Sequence, residues 1–111
     1  MLTEQLRQIG FPCNKLADGY AAFFTPARLS QLAEISTQIG DAPFFPSAEH
    51  VLRFAEIDPA NLRCVIVGMD PYPSQTVGDS GEIIPEATGR SLEVASVNDW
   101  GEKYRQASLR N

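Results

Sequence analysis

The segment that most constrains the fold of this chain is the apolar run Cys64-Val-Ile-Val-Gly68. A strand with one solvated face alternates apolar with polar residues, whereas this run is apolar almost throughout. That pattern is typical of a strand buried on both faces of a parallel sheet, with helices covering both sides. We therefore predict an α/β fold in which residues 64–68 form a central strand.

Two helices are predicted ahead of this strand. The apolar residues within Leu2–Ile9 are spaced so that they lie on one helical face. Gly10 is a typical residue to end a helix. The second helix begins with Thr25 as its N-cap and Pro26 in the first helical position. It continues to Gly40, and we expect its leucines to lie in the core.

The remaining segments give weaker signals. Residues 41–63 are interpreted as a loop followed by a shorter helix that Ser47 caps, and we expect His50, the single histidine, to serve packing or the surface. Residues 73–89 are too rich in glycine, proline, serine and threonine for a helix, so we predict a surface excursion. Residues 91–96 are a second strand candidate because apolar and polar residues roughly alternate there.

A central strand buried on both faces needs neighbouring strands, and the sequence supplies one further candidate. Residues 104–111 are interpreted as a helix that has only begun. We therefore expect a single domain, residues 1–111, that is the front part of a larger α/β unit. Another chain, or further C-terminal sequence, would complete its sheet.

Charge, hydropathy and cysteine usage limit the possible partners. The formal net charge of −5 argues against broad attraction to nucleic acid, although a local site can still be basic. No run approaches the ~20 apolar residues of a membrane span, and the N-terminus lacks the pattern of a signal peptide. Cys13 and Cys64 form no CxxC spacing, so we expect free thiols in a cytoplasmic protein. No membrane, metal or cofactor is expected.

The residues after the predicted strand are candidates for a binding site. Ligands of open parallel sheets bind beyond the carboxyl ends of the strands, and Gly68 would let the backbone turn or approach a bound group. Pro71 and Pro73 bias Asp70 and Tyr72 toward extended backbone geometry, which would aim both side chains. A plain strand-to-loop turn is the alternative, because Asp-Pro is common in turns.

Residues 68–74, Gly-Met-Asp-Pro-Tyr-Pro-Ser, resemble the water-activating motif of the uracil-DNA glycosylase superfamily, whose usual form is Gly-Gln-Asp-Pro-Tyr-His. Residues 44–68 are similar to the family's proline-marked loop, short helix and first strand. Residues 89–96 are similar to its Gly-Leu-x-Phe-Ser-Val segment, and residues 107–111 to its Pro-Ser-Leu-x-Asn helix start. The resemblance covers residues 42–111 and implies the front part of a three-layer α/β/α fold with a parallel sheet.

The resemblance also implies roles for individual residues. Asp70 would position the attacking water and stabilise the cationic sugar as the N-glycosidic bond breaks, since a nearby anion favours an oxocarbenium-like transition state. Tyr72 would fill the space beside C5 of a flipped base and exclude the methyl group of thymine. Met69, through its backbone, and Leu92 would contact the base, and Ser108 would contact DNA. The implied substrate is uracil-containing DNA.

Several positions depart from the family pattern. Met69 replaces a glutamine, Pro73 replaces a histidine, and Leu92 replaces an aromatic residue whose stacking on a base is worth ~1–3 kcal/mol. The family's base-reading asparagine and its His-Pro-Ser loop would follow Asn111, so we expect this chain alone to be incomplete as an enzyme.

Three functions follow from these observations. The leading one is a glycosylase of DNA base-excision repair. The alternative is a glycosylase-like protein that has no catalytic activity and binds a nucleobase, DNA or a protein. The departures from the family pattern and the net negative charge favour this alternative. A nucleotide-binding α/β module unrelated to repair is weaker, because no phosphate-cradling glycine loop is present.

Overall fold

The computed structural model describes residues 1–96 of the chain. Its two α-helices are α1, Leu2–Ile9, and α2, Pro26–Ile39. Short 3₁₀ turns lie at Asp18–Tyr20, Ala48–His50, Arg53–Glu56 and Pro59–Asn61. The strands β1, Gln75–Val77, and β2, Ile83–Pro85, form a two-stranded antiparallel sheet.

Both helices form where local sequence signals predict them. Gly10 ends α1 in the left-handed region at φ 110°, where its N–H donates to the carbonyls of Leu6 and Arg7. At the start of α2, the Thr25 hydroxyl accepts a hydrogen bond from the backbone N–H of Arg28 at 3.3 Å. The predicted bounds and caps of both helices are confirmed.

The second helix is less buried than its apolar pattern predicts. No residue of α2 is fully buried. Three of its side chains, Leu29, Leu32 and Ile39, are partly buried and pack against the core, while Ile35 is half exposed. The prediction that its leucines are core residues is therefore right about which face turns inward, but it overstates the depth of burial.

The main core lies in the N-terminal half of the chain. Its buried members are Leu6, Phe11, Cys13, Phe24, Leu52 and Ala55. The Cys13 thiol donates to the Leu52 carbonyl at 3.8 Å, which links the segment after α1 to the 3₁₀ turns. Burial raises the pKa of this thiol, and the Glu56 carboxylate raises it further. Both cysteines are free thiols, as the sequence predicts.

The predicted central strand at residues 64–68 is wrong. These residues form no strand, and Val65, Ile66 and Val67 are 70%, 62% and 88% exposed. A strand requires a partner backbone, and β1 and β2 pair with each other rather than with this segment. The sheet formed by the described residues is antiparallel, so a parallel three-layer architecture stays a prediction.

The predicted surface excursion at residues 73–89 contains a hairpin that the sequence reading missed. Thr76 lies opposite Ile84, and the turn closes through a 2.7 Å hydrogen bond from the Gly78 N–H to the Glu82 carbonyl. The second strand candidate, residues 91–96, is mostly turn and makes a single bridge, between Val94 and Ala87.

Two further predictions concern helices. The helix expected after Ser47 is reduced to the 3₁₀ turn Ala48–His50, and the Ser47 side chain makes no cap bond. The helix predicted at residues 104–111 lies outside the described residues. Among the residues described, none of the helices has the length and apolar character needed to cross a membrane.

Candidate functional site

A groove of about 780 Å³ lies between α2, the loop before Ser47, and the two segments 66–72 and 87–92. The four described site residues all line it: Met69, Asp70, Tyr72 and Leu92. Leu92 comes from a separate segment, beyond the β1–β2 hairpin, so the fold joins two parts of the chain at this groove. Ser108, the predicted DNA-contacting residue, lies outside the described residues.

The motif residues are accessible from the groove rather than packed into the interior. Met69 is 97% exposed, the Asp70 side chain is exposed and Tyr72 is half-buried. An exposed carboxylate can accept a hydrogen bond from water, and a half-buried ring can act as a wall with limited freedom. The arrangement therefore has an acceptor for a water molecule and a steric wall two residues away along the chain.

Glycine at position 68 is not required by the local backbone. A side-chain Cβ built there would lie 3.5 Å from the Ser91 hydroxyl oxygen, which is an ordinary van der Waals contact. Gly68 is also not among the described residues with positive φ. Any need for glycine here would come from the close approach of a bound group.

The segment that carries Leu92 is fixed at its base. Ala87 and Val94 form a bridge, and both side chains are buried. The Ala95 N–H donates to the Glu86 carbonyl at 3.0 Å, and the Ser96 hydroxyl donates to a Glu86 carboxylate oxygen at 2.7 Å. These contacts close a loop, residues 88–93, whose tip faces the groove.

Two observations show that this loop is held in a defined shape. Leu92 has φ 61°, in the left-handed region that side chains other than glycine rarely adopt, at a cost of roughly 1–2 kcal/mol. The Ser91 hydroxyl donates to the Ile66 carbonyl at 3.1 Å. Ser91 therefore ties one wall of the groove to the segment that leads into Asp70 and Tyr72.

The groove also has an aromatic wall that the sequence analysis did not identify. Phe44 lines the groove, is partly exposed and packs its ring against buried Phe11, with centroids 6.2 Å apart and an interplanar angle of 81°. A base stacks on an aromatic ring, which Phe44 has and Leu92 lacks. The Pro-Phe-Phe-Pro stretch within the resemblance could have indicated it.

Charge is sparse along this groove. Of the described residues that line it, Asp70 is acidic and Arg90 is basic. Arg90 lies 3.5 Å from Glu93, a partly exposed pair of the kind that contributes little to stability. His50 does not line the groove, and residues 1–96 hold no group of three His, Cys, Asp or Glu placed to bind a metal.

Comparison of the chain with known protein families, curated proteins and solved structures finds no match. The resemblance to uracil-DNA glycosylases therefore depends on the motif residues themselves. The structure adds that the described ones line one groove.

Proposed function

We propose that this protein is a cytoplasmic DNA glycosylase that hydrolyses the N-glycosidic bond of uracil in DNA during base-excision repair. The observation that carries the proposal is the convergence of Met69, Asp70, Tyr72 and Leu92 on one open groove. These residues come from two segments separated by a hairpin, and the motif resemblance gives all four a role at one flipped base.

In the proposed reaction, a uracil nucleotide leaves the base stack and its base enters the groove. The Asp70 carboxylate accepts a hydrogen bond from a water molecule and orients it toward C1′ of the sugar. As the bond from C1′ to the base breaks, the same anion stabilises the positive charge that develops on the sugar. The water oxygen bonds to C1′, its proton passes to the carboxylate, and the base departs with the bonding electrons.

Tyr72 would set the choice of base. It lies between two prolines and is half-buried, so its ring has limited freedom to move away from a 5-methyl group. Replacing it by Ala removes this wall, and Tyr72→Ala is expected to release thymine as well as uracil. If Tyr72→Ala still discriminates between the two bases, Tyr72 does not set the selectivity.

The experiment that tests the proposal measures uracil release from single- and double-stranded oligonucleotides, by this chain and by a C-terminally extended version, because the resemblance implies that this chain alone is incomplete as an enzyme. Asp70→Asn keeps the size of the side chain but removes the general base, and we expect excision to fall by roughly 10²–10⁴-fold. Asp79→Asn is the matched control, because Asp79 is an exposed acid in the hairpin turn and does not line the groove. Equal rates for the two variants would contradict the proposal.

A second candidate function is binding without catalysis. Two observations favour it: Leu92, which is 54% exposed, presents an aliphatic rather than an aromatic side chain, and Met69 lacks a side-chain amide. Tight binding of uracil-containing DNA with no release of base would support this function over the first. If neither the chain nor its C-terminally extended version binds or cleaves such DNA, the glycosylase and the DNA-binding function are both excluded.

A further inference from the structure

Arg53, which lies outside the groove, makes two of the contacts that connect the loop 88–93 to the main body of the protein. Its guanidinium Nη1 donates to the Thr88 carbonyl at 2.6 Å and lies 3.8 Å from a Glu93 carboxylate oxygen. The Arg53 side chain is only 22% exposed, so water competes less for these bonds than at a fully exposed pair. One side chain thus contacts both ends of the loop.

The backbone of the loop also packs directly on the 3₁₀ turns. A Cβ built at Gly89 would overlap the His50 carbonyl oxygen and lie 3.0 Å from the Arg53 Cβ. Gly89 therefore allows an approach that another residue would prevent. The Arg90 backbone N–H donates a hydrogen bond to the Thr88 hydroxyl oxygen at 3.4 Å.

We propose that Arg53 is a positioning residue for the candidate site, and this inference rests on the proposed function. It holds the loop so that Leu92 faces the groove and the Ser91 hydroxyl reaches the Ile66 carbonyl. Arg53 does not itself line the groove, so its effect on a bound base is transmitted through these two residues.

The strained backbone at Leu92 is the reason why such support is needed. A leucine at φ 61° relaxes toward negative φ unless its surroundings hold it. Loss of the guanidinium leaves the Thr88 carbonyl without this donor and Glu93 without one of the two cationic neighbours it has among residues 1–96. The loop is then expected to open while the N-terminal core stays folded.

The first test measures the loop directly, by amide hydrogen exchange in NMR, and does not depend on any enzymatic activity. In Arg53→Met we expect exchange at Glu93 and Ala95 to rise by about tenfold or more, with no change at the core amide of Phe11. Arg53→Lys, which keeps the charge but not the planar fork, should fall between wild type and Arg53→Met. Arg63→Met, at an exposed arginine, is the control and should match wild type.

The second test measures uracil release by the same variants. We expect kcat/KM to fall by about tenfold in Arg53→Met, with partial recovery in Arg53→Lys, and the pH profile to keep its shape because Asp70 is untouched. Unchanged exchange at Glu93 and Ala95, an equal rise at Phe11, or full activity of Arg53→Met would each overturn the positioning role. If neither the wild-type chain nor its C-terminally extended version releases uracil, the proposed function is overturned instead, and the exchange result alone then decides the role of Arg53.

Discussion

The packing of Gly89 gives a sharp test of how the candidate site is built. Gly89 and Gly81 have nearly the same positive φ, 85° and 82°. They differ in surroundings, because a Cβ at Gly81 meets nothing within 4 Å, whereas one at Gly89 overlaps the His50 carbonyl oxygen. Gly89→Ala and Gly81→Ala therefore form a matched pair that separates conformational cost from packing cost.

The expected magnitudes follow from these two terms. An alanine in the left-handed region costs roughly 1–2 kcal/mol, and this term applies to both variants. Overpacking adds about 1–3 kcal/mol, and it applies to Gly89→Ala alone. The free energy of unfolding should therefore fall by roughly 1–3 kcal/mol more in Gly89→Ala than in Gly81→Ala.

Urea unfolding followed by far-ultraviolet circular dichroism measures the global loss in each variant, and hydrogen exchange at Ala95 measures opening of the loop. We expect either a lower urea midpoint or faster Ala95 exchange in Gly89→Ala than in Gly81→Ala, because the clash is relieved by unfolding or by release of the loop. Equal midpoints together with equal Ala95 exchange would refute the packing of the loop against the 3₁₀ turns.

Three further predictions concern the core residue Leu6, the N-cap of α2 and the two cysteines. Leu6→Ala, at a fully buried side chain, should lower the free energy of unfolding by about 2–5 kcal/mol in urea titrations, and a loss under 1 kcal/mol would contradict its central place. Thr25→Ala should cost about 1 kcal/mol through loss of the helix cap, whereas Thr25→Ser should retain most of it, as measured by thermal unfolding. Iodoacetamide should label exposed Cys64 but not buried Cys13 in the native protein, and both in urea, by mass spectrometry. Because the pKa of the Cys13 thiol is raised, its protection should persist at pH values where an ordinary thiol ionises, and two labels on the native protein at neutral pH would contradict its burial.

The elements that the sequence predicts correctly are those encoded by neighbouring residues. Gly10 ends α1 and Thr25 caps α2 through contacts within four residues, so the chain around each site contains the needed information. The hairpin of β1 and β2 was missed because each strand has only three residues, too few for an alternating pattern.

The errors come from contacts that are distant in sequence. The apolar pattern of residues 64–68 shows that burial would be favourable, but it does not supply a partner strand, and the segment is exposed among the described residues. In the same way, the motif resemblance offered Asp70 and Tyr72 as candidates, whereas it gave no sign of Arg53, and only the Pro-Phe-Phe-Pro stretch could have indicated Phe44. Their roles depend on a hydrogen bond to Thr88 and a ring contact to Phe11.

The most direct test of the central claim is whether a uracil base enters the groove beside Asp70. The chain has two methionines, Met1 at the N-terminus and Met69 in the groove, and both are almost fully exposed, so ¹³C-methyl labelling gives a reporter and an internal control. Titration with an oligonucleotide that contains 2′-fluoro-2′-deoxyuridine, whose glycosidic bond resists cleavage, should shift the Met69 methyl signal and leave that of Met1 in place. The matching thymidine oligonucleotide should leave both unchanged. An unshifted Met69, or the same shift with thymidine, would contradict the account.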